Sequence, residues 1–333
     1  MKSASGLVFL FALVVLMGCL GRIERSDDRN DRVDQTIEDN KQISLVSWNL
    51  GYGGLGAGSD FFKDLGEQTR PPSPQAVDAS VSGIKAAIGD MDADIFLFQE
   101  MARPSYVNYR RDLFREVAGV LPHHDATYVA DFRTWLVPPP WSISIGNASF
   151  APPNATVDRI LLRGHTERYF VVASRAYSVH RIRFGKSVPW TIFNLHLSAF
   201  DAEDQGKRER QAREVLTLAL AEYQQGRCVV LGGDWNMRLI PTNFPHSTAD
   251  RFQFWIRDII LDLLSDGWHW AVDNSIATVR TLHKPYIRGE NYITIVDGWA
   301  LSPNVRVLDV ETLNLEFAYS DHNPVRLRAE CEL

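Results

Sequence analysis

Beyond residue 41 the hydrophobic and polar positions fall into two alternating textures. Short runs rich in β-branched and aromatic residues are separated by longer segments whose apolar residues recur at helical spacing. The short runs predict strands over residues 43–50, 94–99, 169–176, 190–196, 228–232, 293–300 and 324–329, several of which end in a polar residue. Val77, Val81, Ile84 and Ile88 step by four, three and four, and Phe252, Ile256, Ile259 and Leu263 do the same, so each set predicts a helix with one apolar face. A third helix is predicted over about 204–223, and a charged helix over 105–120. Between His123 and Val157, prolines at 138, 139, 140, 152 and 153 forbid long regular elements and predict long loops or hairpins. With no internal repeat, the alternation predicts one α/β domain over residues 42–333.

The first 41 residues have another texture. Lys2 precedes an uncharged apolar run from Leu7 to Met17, too short to span a bilayer, and Gly18-Cys19 follows. Leu16-Met17-Gly18-Cys19 resembles a bacterial lipobox, which implies a signal peptide over 1–18 and a lipid on Cys19; an ordinary cleaved signal, leaving a secreted protein, is the alternative. Either expectation exports the chain to the cell envelope or beyond. Residues 22–41 carry five basic and seven acidic side chains and little to bury, so 19–41 is expected to be a polar tether.

Composition changes this picture little. A chain of 333 residues that is 45% hydrophobic can bury a large core, and a formal charge of -6 leaves any nucleic-acid partner to a local patch or bridging cations. After Cys19 only Cys228 and Cys331 remain, no disulfide framework, and buried free thiols are expected.

The candidate chemistry lies where strands end, where loops present functional groups on a rigid scaffold. In order come Trp48-Asn49, Gln99-Glu100, Asn194-Leu195-His196, Gly233-Asp234-Trp235-Asn236, Asp297 and Ser320-Asp321-His322-Asn323-Pro324. Taken singly most have plain explanations, such as Asn49 capping a turn or Asp234 shaping one. Their order resembles the endonuclease/exonuclease/phosphatase superfamily over about residues 43–331. That resemblance implies a four-layer α/β sandwich, deoxyribonuclease I-like, of two packed mixed β-sheets flanked by helices. The Asn49, Glu100 and Asp321 strands are expected in one sheet, and the His196 and Asp234 strands in the other.

By the same resemblance Glu100 is the principal Mg2+ (or Mn2+) ligand with Asn49 and Asp321 beside it, Asp234 orients or deprotonates the attacking water, and Asn236 holds the phosphate. His322 is expected against the phosphoryl group with Asp297 on its other ring nitrogen, and Glu167, before the 169–176 strand, behind His196. The implied activity is metal-dependent phosphodiester hydrolysis, nuclease first, with a sphingomyelinase-like phospholipid phosphodiesterase or a phosphate-monoester phosphatase as alternatives. A non-catalytic binding module is disfavoured because no expected position is lost. The expected partners are DNA or phospholipid as substrate and a membrane through the Cys19 anchor; no protein partner is inferred. The apolar insert 135–141 is open between contact with lipid and a rigid loop packed on its own domain, and the arginines at 103, 110, 111 and 115 between a phosphate-binding groove and the solvated side of a charged helix. The usual Arg-Ile-Asp of the family is Ile295-Val296-Asp297 here, so any contact made by that arginine is missing.

Overall fold

The computed structural model describes residues 24–25, 42–134, 137, 140–153, 155–169, 171–183, 189–199, 206–260 and 262–332. The expected signal peptide, Cys19 and most of the tether lie outside the described residues; within the tether, β1 (Glu24–Arg25) pairs antiparallel with Tyr128 and Thr127.

One half of the fold holds β2 (Gln42–Asn49), β3 (Ile95–Ala102), β4 (Asp125–Arg133), β5 (Ser144–Ala151), β14 (Val305–Thr312) and β15 (Val325–Cys331), in the order β4-β5-β3-β2-β15-β14. The other holds β6 (Thr156–Tyr169), β7 (Val171–Ile182), β8 (Trp190–His196), β9 (Cys228–Asp234), β10 (His269–Ala271) and β13 (Asp297–Leu301), in the order β10-β13-β9-β8-β7 with β6 on β7. Both are mixed, parallel at β2/β3 and β8/β9 and antiparallel elsewhere. They are hydrogen-bonded to each other where Phe132 and Arg133 of β4 meet Ala173 and Val172 of β7. A separate ribbon joins β11 (Val279–Arg280) to β12 (Ile293–Thr294).

Side-chain alternation along the strands builds four layers. Leu45, Ile95 and Leu97 of one half meet Ile192, Val230 and Trp299 of the other in a central core. On the far face of the first half, Val46, Trp48, Phe96 and Phe98 lie under Val77, Val81, Ile84 and Ile88 of α1 (Pro74–Gly89). On the far face of the second, Tyr177, Phe193 and Leu231 lie under Ala212, Val215 and Ala219 of α3 (Lys207–Gln224). Ser73 caps α1 by accepting from the Ala76 amide at 3.1 Å, with Pro74 in the first turn where its missing N–H costs nothing. With helices outside both halves, the central strands are apolar on both faces, and this is why they read as nearly continuous runs.

Four sequence expectations are corrected. Among the described residues of 252–263 there is no α-helix, only the end of a 3-10 turn over Asp250–Gln253. Their apolar side chains serve two cores, Trp255 and Ile256 beside Val279 and Val296, Ile259 and Leu263 beside the α3 layer, and between its local turns the backbone at Arg257 and Ile259 bonds to Arg238. The predicted 105–120 helix is split into a 3-10 turn at Tyr106–Asn108 and α2 (Leu113–Ala118), because Tyr109 and Arg110 take φ values of 51° and 66°. The 293–300 strand is broken at Ile295 and Val296, so Asp297 opens β13. Cys228 and Cys331 are a disulfide with Cα atoms 5.9 Å apart, not free thiols. Cys228 starts β9 and Cys331 ends β15, so antiparallel closure across the central core brings together residues 103 apart in sequence.

Candidate active site

Strand ends of both halves converge at one edge of the central core. There β9 ends in Gly232-Gly233-Asp234, flanked by β8 and β13, so that His196 and Asp297 stand directly across from Asp234 on either side. Both glycines are required. A Cβ on Gly232 would lie 2.2 Å from the Trp299 ring, and one on Gly233, whose φ is +145°, would lie 2.1 Å from the Leu195 carbonyl. The close approach places a fully buried carboxylate where β8, β9 and β13 meet.

Asp234 is held on all sides. Its Oδ1 accepts from the Asn236 amide at 2.8 Å, and its Oδ2 from Asn49 Nδ2 at 3.0 Å and Asn236 Nδ2 at 3.2 Å. The same Oδ2 lies 3.6 Å from His196 Nε2 and 3.8 Å from His322 Nε2. The Asn49 bond crosses from one half of the fold to the other. Just beneath, Gln99 Nε2 donates to Asn194 Oδ1 at 2.8 Å, and Asn194 Nδ2 to the Ala148 carbonyl at 3.0 Å and Ser149 Oγ at 2.9 Å. Gln99 and Asn194 therefore tie the halves together below the site.

His322 and Asp297 form a buried pair, Nδ1 to Oδ2 at 2.8 Å, which leaves Nε2 facing Asp234. Burial alone would lower the imidazole pKa, but Asp297 and then Asp234 raise it to about 10, so the ring is held as an imidazolium. Asp297 is itself pushed up to about 6, mainly by burial and against the pull of His322.

On the other side, a bulge in β3 between Phe98 and Met101 puts Glu100 at φ 50° and re-aims its side chain, whose Oε1 lies 3.9 Å from His196 Nε2. Asp321 is reached through Ser320, whose hydroxyl donates to the Asn49 carbonyl at 2.7 Å and lies 3.3 Å from Asp321 Oδ1. Burial raises the Asp321 pKa, and raises that of Asp64, with further repulsion from Asp321, to about 7. Tyr52, at φ 45°, is raised by burial and then by Glu100, Asp321 and Asp64, and its hydroxyl has no hydrogen-bond partner. Arg280 is the buried cation beside these acids. Burial lowers its pKa to about 10 against the pull of Asp321 and Asp64, and its Nη2 is spent on the Leu55, Gly56 and Ser59 carbonyls at 3.1, 2.9 and 3.1 Å.

The structure thus gathers Asn49, Glu100, His196, Asp234, Asn236, Asp297, Asp321 and His322 at one place. Glu167 lies on β6 across from Ala173, and its side chain is outside the described residues. Four neighbours had no sequence signal. Asp131, buried on β4, has Oδ2 3.7 Å from His196 Nδ1, the position expected for Glu167. Arg208 of α3 donates to the Asn236 carbonyl, and Asp64 and Arg280 sit behind Asp321. Ligand atoms of Asp234, Asp297 and His322 lie within 4.8 Å of one another, a spacing that could hold a metal ion.

No family model matches the chain, and no curated protein does. Solved structures do. TDP2 from Caenorhabditis elegans is 14% identical over 87% of this chain and 74% of its own, with a TM-score of 0.55. An endonuclease/exonuclease/phosphatase from Beutenbergia cavernae is 16% identical over 87% and 72%, at 0.53. ANGEL2, a 2′,3′-cyclic phosphatase solved with adenosine-2′,3′-vanadate, is 12% identical over 94% and 99%, at 0.56. Two mixed sheets packed face to face between helices, with the polar strand ends on one edge, give this chain the fold of the endonuclease/exonuclease/phosphatase proteins.

Proposed function

We propose that the chain is a divalent-metal-dependent phosphodiesterase acting on nucleic acid, exported and anchored through Cys19. The observation that carries this reading is the buried Asp234 carboxylate, fixed by Asn49 and Asn236 and faced by the Nε2 atoms of His196 and His322. Hydrolysis of a phosphate ester needs an oriented water and positive charge over the phosphoryl oxygens, and this arrangement is built for both.

The residues fit a hard cation. Asn49, Glu100 and Asp321 offer oxygen donors of the kind Mg2+ or Mn2+ takes, and Arg280, a buried cation beside Asp321, is already committed to carbonyls. The Asp234, Asp297 and His322 set is the competing cradle. We assign it to proton handling, because Asp297 Oδ2 is bonded to His322 Nδ1 and so holds the ring with Nε2 towards Asp234. When bound, the cation neutralises charge on the phosphoryl group and on the leaving oxygen. Asp234 orients the attacking water and accepts its proton. His322, kept charged by Asp297, donates from Nε2 to a phosphoryl oxygen. His196, backed by Asp131, does the same from the other strand, and Asn236 fixes the angle of the Asp234 carboxylate.

The nucleotide-derived ligand of ANGEL2 supports a nucleic-acid substrate over a lipid. The Cys228–Cys331 disulfide supports export, since such bonds persist in oxidising compartments. The test is hydrolysis of plasmid DNA, sphingomyelin and a small phosphate diester by the purified chain. Nicking of plasmid in Mg2+, its loss in EDTA, its recovery with Mg2+ or Mn2+ and its decline with salt are expected. Hydrolysis of sphingomyelin with plasmid left intact transfers the reading to the phospholipid alternative. Chelator-insensitive turnover refutes the metal requirement.

A further inference from the structure

Three residues beyond Glu100, the chain leaves β3 and builds one wall of a cleft of about 430 Å3 lined by Arg70, Tyr106, Tyr109, Arg110, Pro140 and Trp141. We propose that this cleft is a nucleotide subsite, taking one unpaired nucleotide of the substrate strand with its base on the Trp141 ring and its phosphate on Arg70 and Arg110; the inference rests on the nucleic-acid reading above. The volume is that of a small-ligand pocket and suits one nucleotide, not a duplex.

The chemistry of the walls selects the occupant. Arg70 lies over Tyr106 at 5.0 Å and Tyr109 at 4.4 Å from the ring centres, which flattens and orients the guanidinium. Arg110 is steered by Ser142, its Nη1 donating to the hydroxyl at 2.8 Å. Among the described residues neither arginine has a carboxylate partner, so two positive charges face the cleft with their anion still to be supplied. Trp141 is 60% exposed, the most exposed of the large hydrophobic side chains among the described residues. Aromatic rings and oriented guanidinium planes are the surfaces on which unpaired bases stack and to which phosphates bind.

The cleft is tied to the candidate active site rather than merely near it in sequence. Asn108, inside the wall, donates to the Tyr52 carbonyl at 3.3 Å, in the turn that follows Asn49. Tyr109 fixes the opposite wall by donating its hydroxyl to the Pro71 carbonyl at 3.0 Å. Tyr109 and Arg110 both sit at positive φ, so the loop holds two side chains in a strained backbone that a plain connector would not need. A strand bound here is registered against Glu100 and Asn49 through covalent chain and one hydrogen bond.

The test uses the full chain and its Trp141→Ala and Arg70→Ala variants, both altered at the surface and checked for unchanged thermal midpoints. Binding is read by fluorescence anisotropy of a labelled ten-nucleotide oligothymidylate in EDTA. Turnover is read on that oligonucleotide in Mg2+ and on bis(p-nitrophenyl) phosphate, which has no base. Each substitution is expected to weaken oligonucleotide binding and raise its KM about tenfold, while leaving hydrolysis of the small diester within twofold. Unchanged binding and KM overturn the subsite. So does weakened sedimentation with phosphatidylglycerol vesicles alongside unchanged oligonucleotide binding, which would make the cleft a lipid contact. If the oligonucleotide binds and both substitutions weaken it, yet neither ester is hydrolysed in Mg2+, the subsite stands and the phosphodiesterase reading fails.

Discussion

Reduction or removal of the Cys228–Cys331 disulfide is expected to cost the protein a large part of its stability. The bridge joins residues 103 apart, and in the chain-entropy model a loop of that size restricts the unfolded ensemble by about 4.7 kcal/mol at 25 °C. Domains are typically stable by roughly 5–15 kcal/mol, so the loss ranges from about three tenths of the total to nearly all of it. With a urea m-value of about 3 kcal/mol/M, the unfolding midpoint should fall by about 1.5 M. The assay is urea unfolding of oxidised protein, dithiothreitol-reduced protein and a Cys228→Ser/Cys331→Ser variant, the reduced wild type separating loss of the bridge from the burial of two hydroxyls. Protein isolated from its own cells with alkylation at lysis should carry no free thiol at either position. Coincident midpoints for oxidised and reduced protein would refute the argument. Two titratable thiols in the isolated protein would also withdraw the support that the bond lends to export.

Asp297→Asn should leave the fold intact and lower kcat by roughly a thousandfold or more with little change in KM, because the His322 Nδ1 loses its anionic acceptor at 2.8 Å; steady-state rates on a small diester check this, and a rate within threefold of wild type excludes the role. His180 is buried beside Ser178 with its pKa lowered by burial to about 4. Its unfolded value is about 6.5, so the unfolded state binds the proton first. Stability relative to a His180→Leu variant should therefore be constant above pH 6.5 and fall as pH drops towards 4, by about 1.4 kcal/mol per unit at most. Parallel pH-stability curves for the two proteins would show that the imidazole is not held neutral.

What the sequence disclosed follows from how far each signal reaches along the chain. Asp234, His196 and Asn49 stand at the ends of apolar runs, so the strand and its chemical group are read in one window. The layering was legible only through the resemblance carried by the order of those motifs, since the apolar faces of α1 and α3 predict helices without saying which sheet each covers. Residues 252–263 have the same spacing and, among those described, no α-helix, because periodicity records which positions are buried and not that Ile256 and Ile259 are buried in different cores. Asp131, Asp64 and Arg280 lie on strands or turns whose local patterns are unremarkable, and they meet the site only through folding. The disulfide was missed for the same reason.

Tyr52, Glu100 and Asn236, three residues of the site, share a backbone property with a few loop residues elsewhere in the domain. All three are non-glycine residues at positive φ, between 45° and 50°, a conformation that costs roughly 1–2 kcal/mol for a side chain with a Cβ. Glycine would occupy each position more comfortably, so the sequence that folds best here is not the sequence that has a site. A library of variants sorted for thermal resistance alone should drift towards glycine at 100 and 236 and lose its chemistry while gaining robustness. In a lineage freed from selection for turnover, these positions would be the first to relax, and a side chain kept at Glu100 or Asn236 becomes a record that the reaction is still being used.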